Sequence, residues 1–141
     1  MIGLKEIQEI LPQRYPFLLI DKIVEYEKDK SLTAIKNITG NEWASKRSDQ
    51  ETGIFPEVLM IEAAAQAAIA FHSLNSGKRN NLFFLGKIEA EFLGQANVGE
   101  ELIVNVISAK SMGAGGYVRI KAFANQKHVL DIQIFYGVRK K

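Results

Sequence analysis

The chain has 141 residues, 47% of them hydrophobic and 24% charged, a balance that fits one globular domain spanning residues 1–141 with a core of its own. It contains no cysteine, which excludes a disulfide scaffold, a thiolate metal site and a cysteine nucleophile, and which fits a cytoplasmic setting. A net charge of only +2, without basic residues interleaved among aromatics, argues against nucleic acid as a partner.

Taken in order, Leu4, Ile7, Ile10 and Leu11 fall at helical spacing, and Pro12 ends that short amphipathic helix. The first ten residues, MIGLKEIQEI, carry no basic leader before a long apolar segment, so no signal peptide is expected. Phe17-Leu18-Leu19-Ile20, continuing through Ile23, Val24 and Tyr26, predicts a largely buried strand. A turn at Lys28-Asp29-Lys30 and a second strand over residues 32–38 complete an antiparallel hairpin. Residues 43–53 are polar except for Trp43 and Ala44 and read as a mobile loop over the entrance to the next element.

That element, Phe55 to Ser76, is the helix about which the rest is organised. Pro56 suits the first helical position, where its missing N–H has no helical partner anyway. From Val58 to Leu74 almost every residue is apolar, and Ala63, Ala64, Ala65, Ala67, Ala68 and Ala70 are small enough for a sheet to close around them. Glu62, Gln66 and His72 interrupt the run, so it falls short of the roughly 18 apolar residues of a membrane span, and none is expected. After a turn at 75–81, the stretches 82–92, 102–108, 117–125 and 129–138 read as strands. The pattern predicts an α+β hot-dog fold, an antiparallel sheet wrapped around one long central helix that cannot cover its own apolar surface.

Several candidate sites reduce to structure. Gly113-Ala114-Gly115-Gly116 joins two strands and reads as a hairpin turn, since a phosphate-cradling loop would precede a helix. His72 and His128 lack metal-ligand company at a useful spacing, so no metal is expected, and no motif calls for a cofactor. Met60, Phe83, Phe84, Phe92, Phe123, Phe135 and Tyr136 read as core, although a tunnel for an acyl chain would be lined in the same way.

Glu62 stands apart. A carboxylate in an apolar run must be paired, protonated or used, because leaving it ionised and alone costs several kcal/mol. Desolvation would raise its pKa and suit it to proton transfer near neutral pH. The competing reading is a structural residue bonded to Gln66, one turn on, or to a neighbouring strand. At the start of the same helix, the N–H groups of Glu57 and Val58 lack helical partners and could polarise a carbonyl oxygen.

Three long segments resemble the short, hot-dog kind of β-hydroxyacyl-acyl-carrier-protein dehydratase. LPQRYPFLLIDKI, at Leu11 to Ile23, is similar to Leu-Pro-His-Arg-Tyr-Pro-Phe-Leu-Leu-Val-Asp. AIKNITGNE, at Ala34 to Glu42, resembles the family's Ala-x-Lys-Asn-Val-(T/S)-x-Asn-Glu, and PEVLMIEAAAQAA, at Pro56 to Ala68, its Pro-Gly-Val-Leu-x-(I/V)-Glu-Ala-x-Ala-Gln-Ala helix. The resemblance implies that a 3-hydroxyacyl thioester loses water to give the trans-2-enoyl thioester. The family uses a His from a Gly-His-Phe-Pro segment and the helix Glu of the opposite subunit, while helix-start amides hold the thioester carbonyl. By position the Glu is Glu62, the amides are those of Glu57 and Val58, and Gln66 supports the carboxylate.

The departures cluster at the same place. Arg47-Ser48-Asp49-Gln50 falls where Gly-His-Phe-Pro belongs, so Ser48 takes the place of the catalytic His. A serine hydroxyl is no general base near neutral pH without another base beside it. Glu57 replaces a Gly, Gln13 replaces the first His of the first segment, and Leu93 falls where the family often has an Arg. His72 lies ten residues beyond Glu62, roughly 15 Å along the helix, too far within one subunit to face the same substrate atom.

The resemblance therefore implies a hydro-lyase of fatty-acid or related acyl-chain synthesis with impaired or altered catalysis. Its substrate would be carried on acyl-carrier protein or coenzyme A, and the protein would form a homodimer or higher homo-oligomer. Two alternatives stand beside it. One is a non-catalytic subunit forming a mixed dimer with a His-containing homologue; the other is a hot-dog acyl thioesterase.

Overall fold

The computed structural model describes residues 1–42, 53–77 and 81–140, Lys140 by its backbone alone, so the loop expected over residues 43–53 lies, but for Gly53, outside the described residues. Helix α1 covers Leu4–Ile10, with the Glu6 carboxylate accepting from the Gly3 N–H at its start. It ends because Leu11 precedes Pro12 and is held extended, at φ −99° and ψ 138°. Strands β1 (Lys22–Glu27) and β2 (Ser31–Asn37) form the expected hairpin.

Helix α2, Glu57–Ser76, follows, and then β3 (Asn81–Phe92), β4 (Glu101–Met112), β5 (Gly115–Ala124) and β6 (Lys127–Lys140). The six strands make one sheet in the order β1-β2-β4-β5-β6-β3, antiparallel throughout. Wrapped around α2, this is the predicted hot-dog architecture.

Alternation places the core. Along β5, Val118, Ile120, Ala122 and Ala124 turn inward and Tyr117, Arg119, Lys121 and Phe123 outward. The inward residues meet Met60, Ala63, Ala64, Ala67, Ala70 and Phe71 of α2, whose alanines permit close approach. By length and composition α2 could cross a membrane, yet half of it is buried within this sheet, as befits a core helix.

Both ends of α2 are built by backbone chemistry. Pro56 is the residue just before the helix and not its first turn, as the sequence suggests; its carbonyl accepts from Leu59 and Met60. Gly53-Ile54-Phe55 runs antiparallel beside residues 96–98 through Phe55 N to Ala96 O (2.8 Å) and Val98 N to Gly53 O (2.6 Å), which fixes where the helix begins. Gly77 closes it with φ +71°, a conformation that a side chain disfavours.

Three expectations are corrected. Phe17–Ile20 is not strand: Asp21 N reaches Ile35 O, but the N–H groups of Leu19 and Ile20 go to the side chain of Gln66, so the segment crosses α2 instead of joining the sheet. β4 runs on past a bulge after Val106 to Met112, because the turn needs only Gly113 and Ala114. The aromatics are mostly not core: Phe84 and Phe92 are exposed on β3, while Phe123 and Phe135 lie on the outer face of the sheet.

The hairpin reading of Gly113 to Gly116 holds, for a packing reason. A Cβ on Gly116 would collide with the Lys110 carbonyl oxygen and crowd the Tyr136 hydroxyl. Gly116→Val is expected to destabilise the protein by about 1–3 kcal/mol, the usual cost of forcing extra volume into a packed place, read as a lowered denaturant midpoint at unchanged slope.

Candidate functional site

Gln66 organises the site. Its side chain is fully buried, and its carboxamide is used at both ends. Oε1 accepts from Leu19 N (2.9 Å) and Ile20 N (3.4 Å), and Nε2 donates to Phe17 O (2.7 Å) and to Glu62 Oε1 (3.0 Å). One side chain thus ties the 17–20 segment across α2 and holds Glu62 in place.

Glu62 is half-buried, not sealed among apolar groups as the sequence suggests, because α2 is covered on one side only. Val58, one turn before it, is 69% exposed, and Ile61 and Ile69 are half-buried. The anticipated hydrogen bond to Gln66 is present. Glu57 and Val58 open α2, and since intrahelical bonding starts with Leu59, their amides make no bond within the helix. Glu57 is exposed beside them. Ser48 lies outside the described residues.

Beside Glu62 is a cavity of about 200 Å³. Ala65, Ala68 and Ile69 of α2 form one wall and Phe83, Leu85, Ile134 and Tyr136 the other, and Gln13 and Glu62 also line it. Aliphatic and aromatic walls with one carboxylate and one carboxamide suit an acyl chain whose reactive carbons sit at the polar end. Cβ atoms on a helix lean toward its N-terminus, and Glu62 lies five residues, roughly 7.5 Å, beyond Glu57. The helix start thus lies about one and a half turns before the carboxylate on the same element.

The histidines are placed away from this chemistry. His128 stacks on Phe123 at 5.0 Å on the outer face and donates from Nε2 to Leu130 O (2.9 Å). His72 packs edge-on against Phe83 and Tyr136, with Nδ1 3.2 Å from the Tyr136 hydroxyl, behind the cavity wall. The sequence offers no sign of that pairing, which joins residues 64 apart. Among the described residues no cluster of His, Cys, Asp or Glu could hold a metal ion.

Burial pushes His72 below its ordinary value and Tyr136 above its own. Well above the ordinary value of about 6.5, His72 is neutral in both folded and unfolded chains and contributes nothing to pH dependence. As pH falls below that, the unfolded chain takes up a proton that the folded one resists, and stability is lost. Thermal melts from about pH 7 to 5 should show a shallower acid decline for His72→Phe than for the parent.

Comparison with known proteins agrees with this architecture. Residues 11–133 match the model of the FabA-like domain family. The chain is 36% identical over 140 residues, 99% of each protein, to the 3-hydroxyacyl-acyl-carrier-protein dehydratase FabZ of Clostridium novyi. It is 34% identical over 139 residues to that of Listeria welshimeri, covering 98% of this chain and 96% of the relative. Among solved structures it is similar to the dehydratase heterocomplex ApeI:P from Xenorhabdus doucetiae, with a TM-score of 0.79, 14% identity, and coverage of 96% of this chain and 91% of the other. A carboxylate on the central helix of a hot-dog domain, matched from end to end by dehydratase sequences, places this chain in the 3-hydroxyacyl-acyl-carrier-protein dehydratase family.

Proposed function

We propose that this single hot-dog domain removes water from a 3-hydroxyacyl thioester carried on acyl-carrier protein or coenzyme A, in fatty-acid or related acyl-chain synthesis, using Glu62 for both proton transfers. The observation that carries the reading is Glu62 itself, anchored by Gln66 at the polar end of an acyl-sized cavity. The thioester oxygen accepts from the N–H groups of Glu57 and Val58, which stabilises the charge that develops when C2 loses its proton. Glu62 takes that proton, the C2–H electron pair becomes the C2=C3 double bond, the C3–O bond breaks, and Glu62 returns the proton to the departing oxygen. Water leaves, and the carboxylate is regenerated. This one-carboxylate route answers the replacement of the family's His by Ser48, at the cost of a rate reduced by roughly 10²–10⁴ relative to a two-group site.

A homodimer is supported by β3. Among the described residues this strand of 12 residues pairs only with β6 and has no partner on its other edge, with Leu82, Phe84 and Leu85 about half exposed. A long apolar edge is a template for another strand, and a second copy of β3 would cover it. Sedimentation should give twice the chain mass of 15.8 kDa, and Leu85→Lys with Gly86→Pro should return the protein to a monomer.

The second reading, a mixed dimer in which Glu62 serves a His-containing homologue, is favoured by the structural likeness to a protein that is itself a dehydratase heterocomplex. The discriminating experiment follows enoyl-thioester absorbance and free thiol together, using purified protein and a 3-hydroxyacyl-pantetheine. Enoyl absorbance without thiol is expected. Thiol release would make the protein a thioesterase, and silence in both channels would favour the mixed dimer.

A further inference from the structure

Gln13 occupies a turn whose backbone is fixed from both sides. The Arg14 guanidinium donates to Gln8 O (2.7 Å), Leu11 O (2.8 Å) and Gln13 O (2.8 Å), so this turn is held by a side chain bonded to three main-chain carbonyls, with no demand on the Gln13 side chain. Yet that side chain lines the same cavity as Glu62, and its Oε1 is shielded from solvent with no hydrogen-bond partner. It is the one buried side-chain oxygen or nitrogen in that condition among the described residues. A buried amide oxygen left unpaired costs about 1–3 kcal/mol, and the natural remedy is a donor supplied by whatever fills the cavity.

The chemistry of the occupant narrows that donor. Near its reacting carbons a 3-hydroxyacyl thioester has a single O–H, the hydroxyl on C3; the amides of a pantetheine arm lie beyond the sulfur. We propose that Gln13 Oε1 accepts the hydrogen bond of the substrate's C3 hydroxyl and is the residue by which the site recognises a 3-hydroxyacyl group. The inference rests on the dehydratase reading of the cavity. With the hydroxyl hydrogen tied to Gln13, the oxygen presents its lone pairs to Glu62. The proton that Glu62 removes from C2 is delivered to that oxygen as the C3–O bond breaks, and the water formed keeps its original hydrogen on Gln13. A saturated acyl thioester has no donor there and leaves Oε1 unpaired, so the site discriminates against it.

The test separates recognition from turnover. In the full-length Glu62→Ala background, which adds no competing donor, calorimetry compares 3-hydroxyhexanoyl-pantetheine with hexanoyl-pantetheine. The hydroxyacyl ligand should bind about five- to tenfold more tightly, as one hydrogen bond predicts. Adding Gln13→Met should erase the difference while leaving hexanoyl-pantetheine binding unchanged, and Gln13→His, which retains a ring acceptor, should restore part of it. Equal affinities in the Glu62→Ala protein, a preference that survives Gln13→Met, or equal weakening of both ligands would each overturn the proposal. Water loss by the parent protein, measured in parallel, tells the two ideas apart. Preference without turnover keeps Gln13 and rejects the stand-alone dehydratase reading, turnover without preference keeps that reading and rejects Gln13, and absence of both rejects both.

Discussion

Replacing Glu62 with alanine is expected to lower kcat for water loss by about 10²–10⁴-fold, the range typical of removing a positioned acid–base group. In the proposed route Glu62 handles the proton at both C2 and the departing oxygen, so the loss should fall at the upper end of that range. KM should change little, because that route assigns the chain to the cavity walls and the carbonyl to the helix-start amides, which are untouched. Stability should also change little: Glu62 is half-buried, and Gln66 keeps its bonds to Phe17, Leu19 and Ile20 without it. Steady-state kinetics with melting curves check both halves. A large drop in melting temperature with proportionate loss of activity would instead make Glu62 a structural residue.

Gln66→Leu is expected to give the largest loss of stability of any single change at the site. The leucine fills similar space but leaves Leu19 N, Ile20 N and Phe17 O without their partner, the first two in a buried setting. At about 1–3 kcal/mol for each unsatisfied group, with the long 3.4 Å bond counting least, the total is roughly 3 kcal/mol or more. For a chain of this length that corresponds to a melting temperature lower by about 10 °C. Gln66→Glu separates the two tasks of this residue. It keeps an acceptor for Leu19 but removes the donor to Glu62 and sets a second carboxyl group beside it, so activity should fall more than stability. Equal behaviour of the two variants would show that Gln66 only anchors the 17–20 segment.

The parts of this molecule that could be read from its residues are those fixed by local pattern. Pro56, the alanine-rich run and Gly77 mark α2, and the strict alternation of β5 marks an inner and an outer face. The four-residue spacing of Glu62 and Gln66 already places them on one face. What escaped depends on contacts between distant segments. Phe17-Leu18-Leu19-Ile20 has the composition of a buried strand, and only the carboxamide of Gln66, 46 to 49 residues on, diverts it across the helix. Phe84 and Phe92 look like core but lie exposed on the strand at the end of the sheet. Gln13 stands out in the sequence only as a departure from a resembling motif; its unpaired oxygen is visible only once the fold brings it into the lining of the cavity that Glu62 also lines. The replacement of the family's His by Ser48 is carried by that resemblance alone.

The most direct test of the central claim is intact-mass analysis of a 3-hydroxyacyl-acyl-carrier protein incubated with the purified parent protein and no second homologue. The account predicts a species lighter by one water, formed slowly and absent with Glu62→Ala. An unchanged mass after long incubation, with water lost only when a His-containing homologue is added, would contradict a stand-alone one-carboxylate dehydratase.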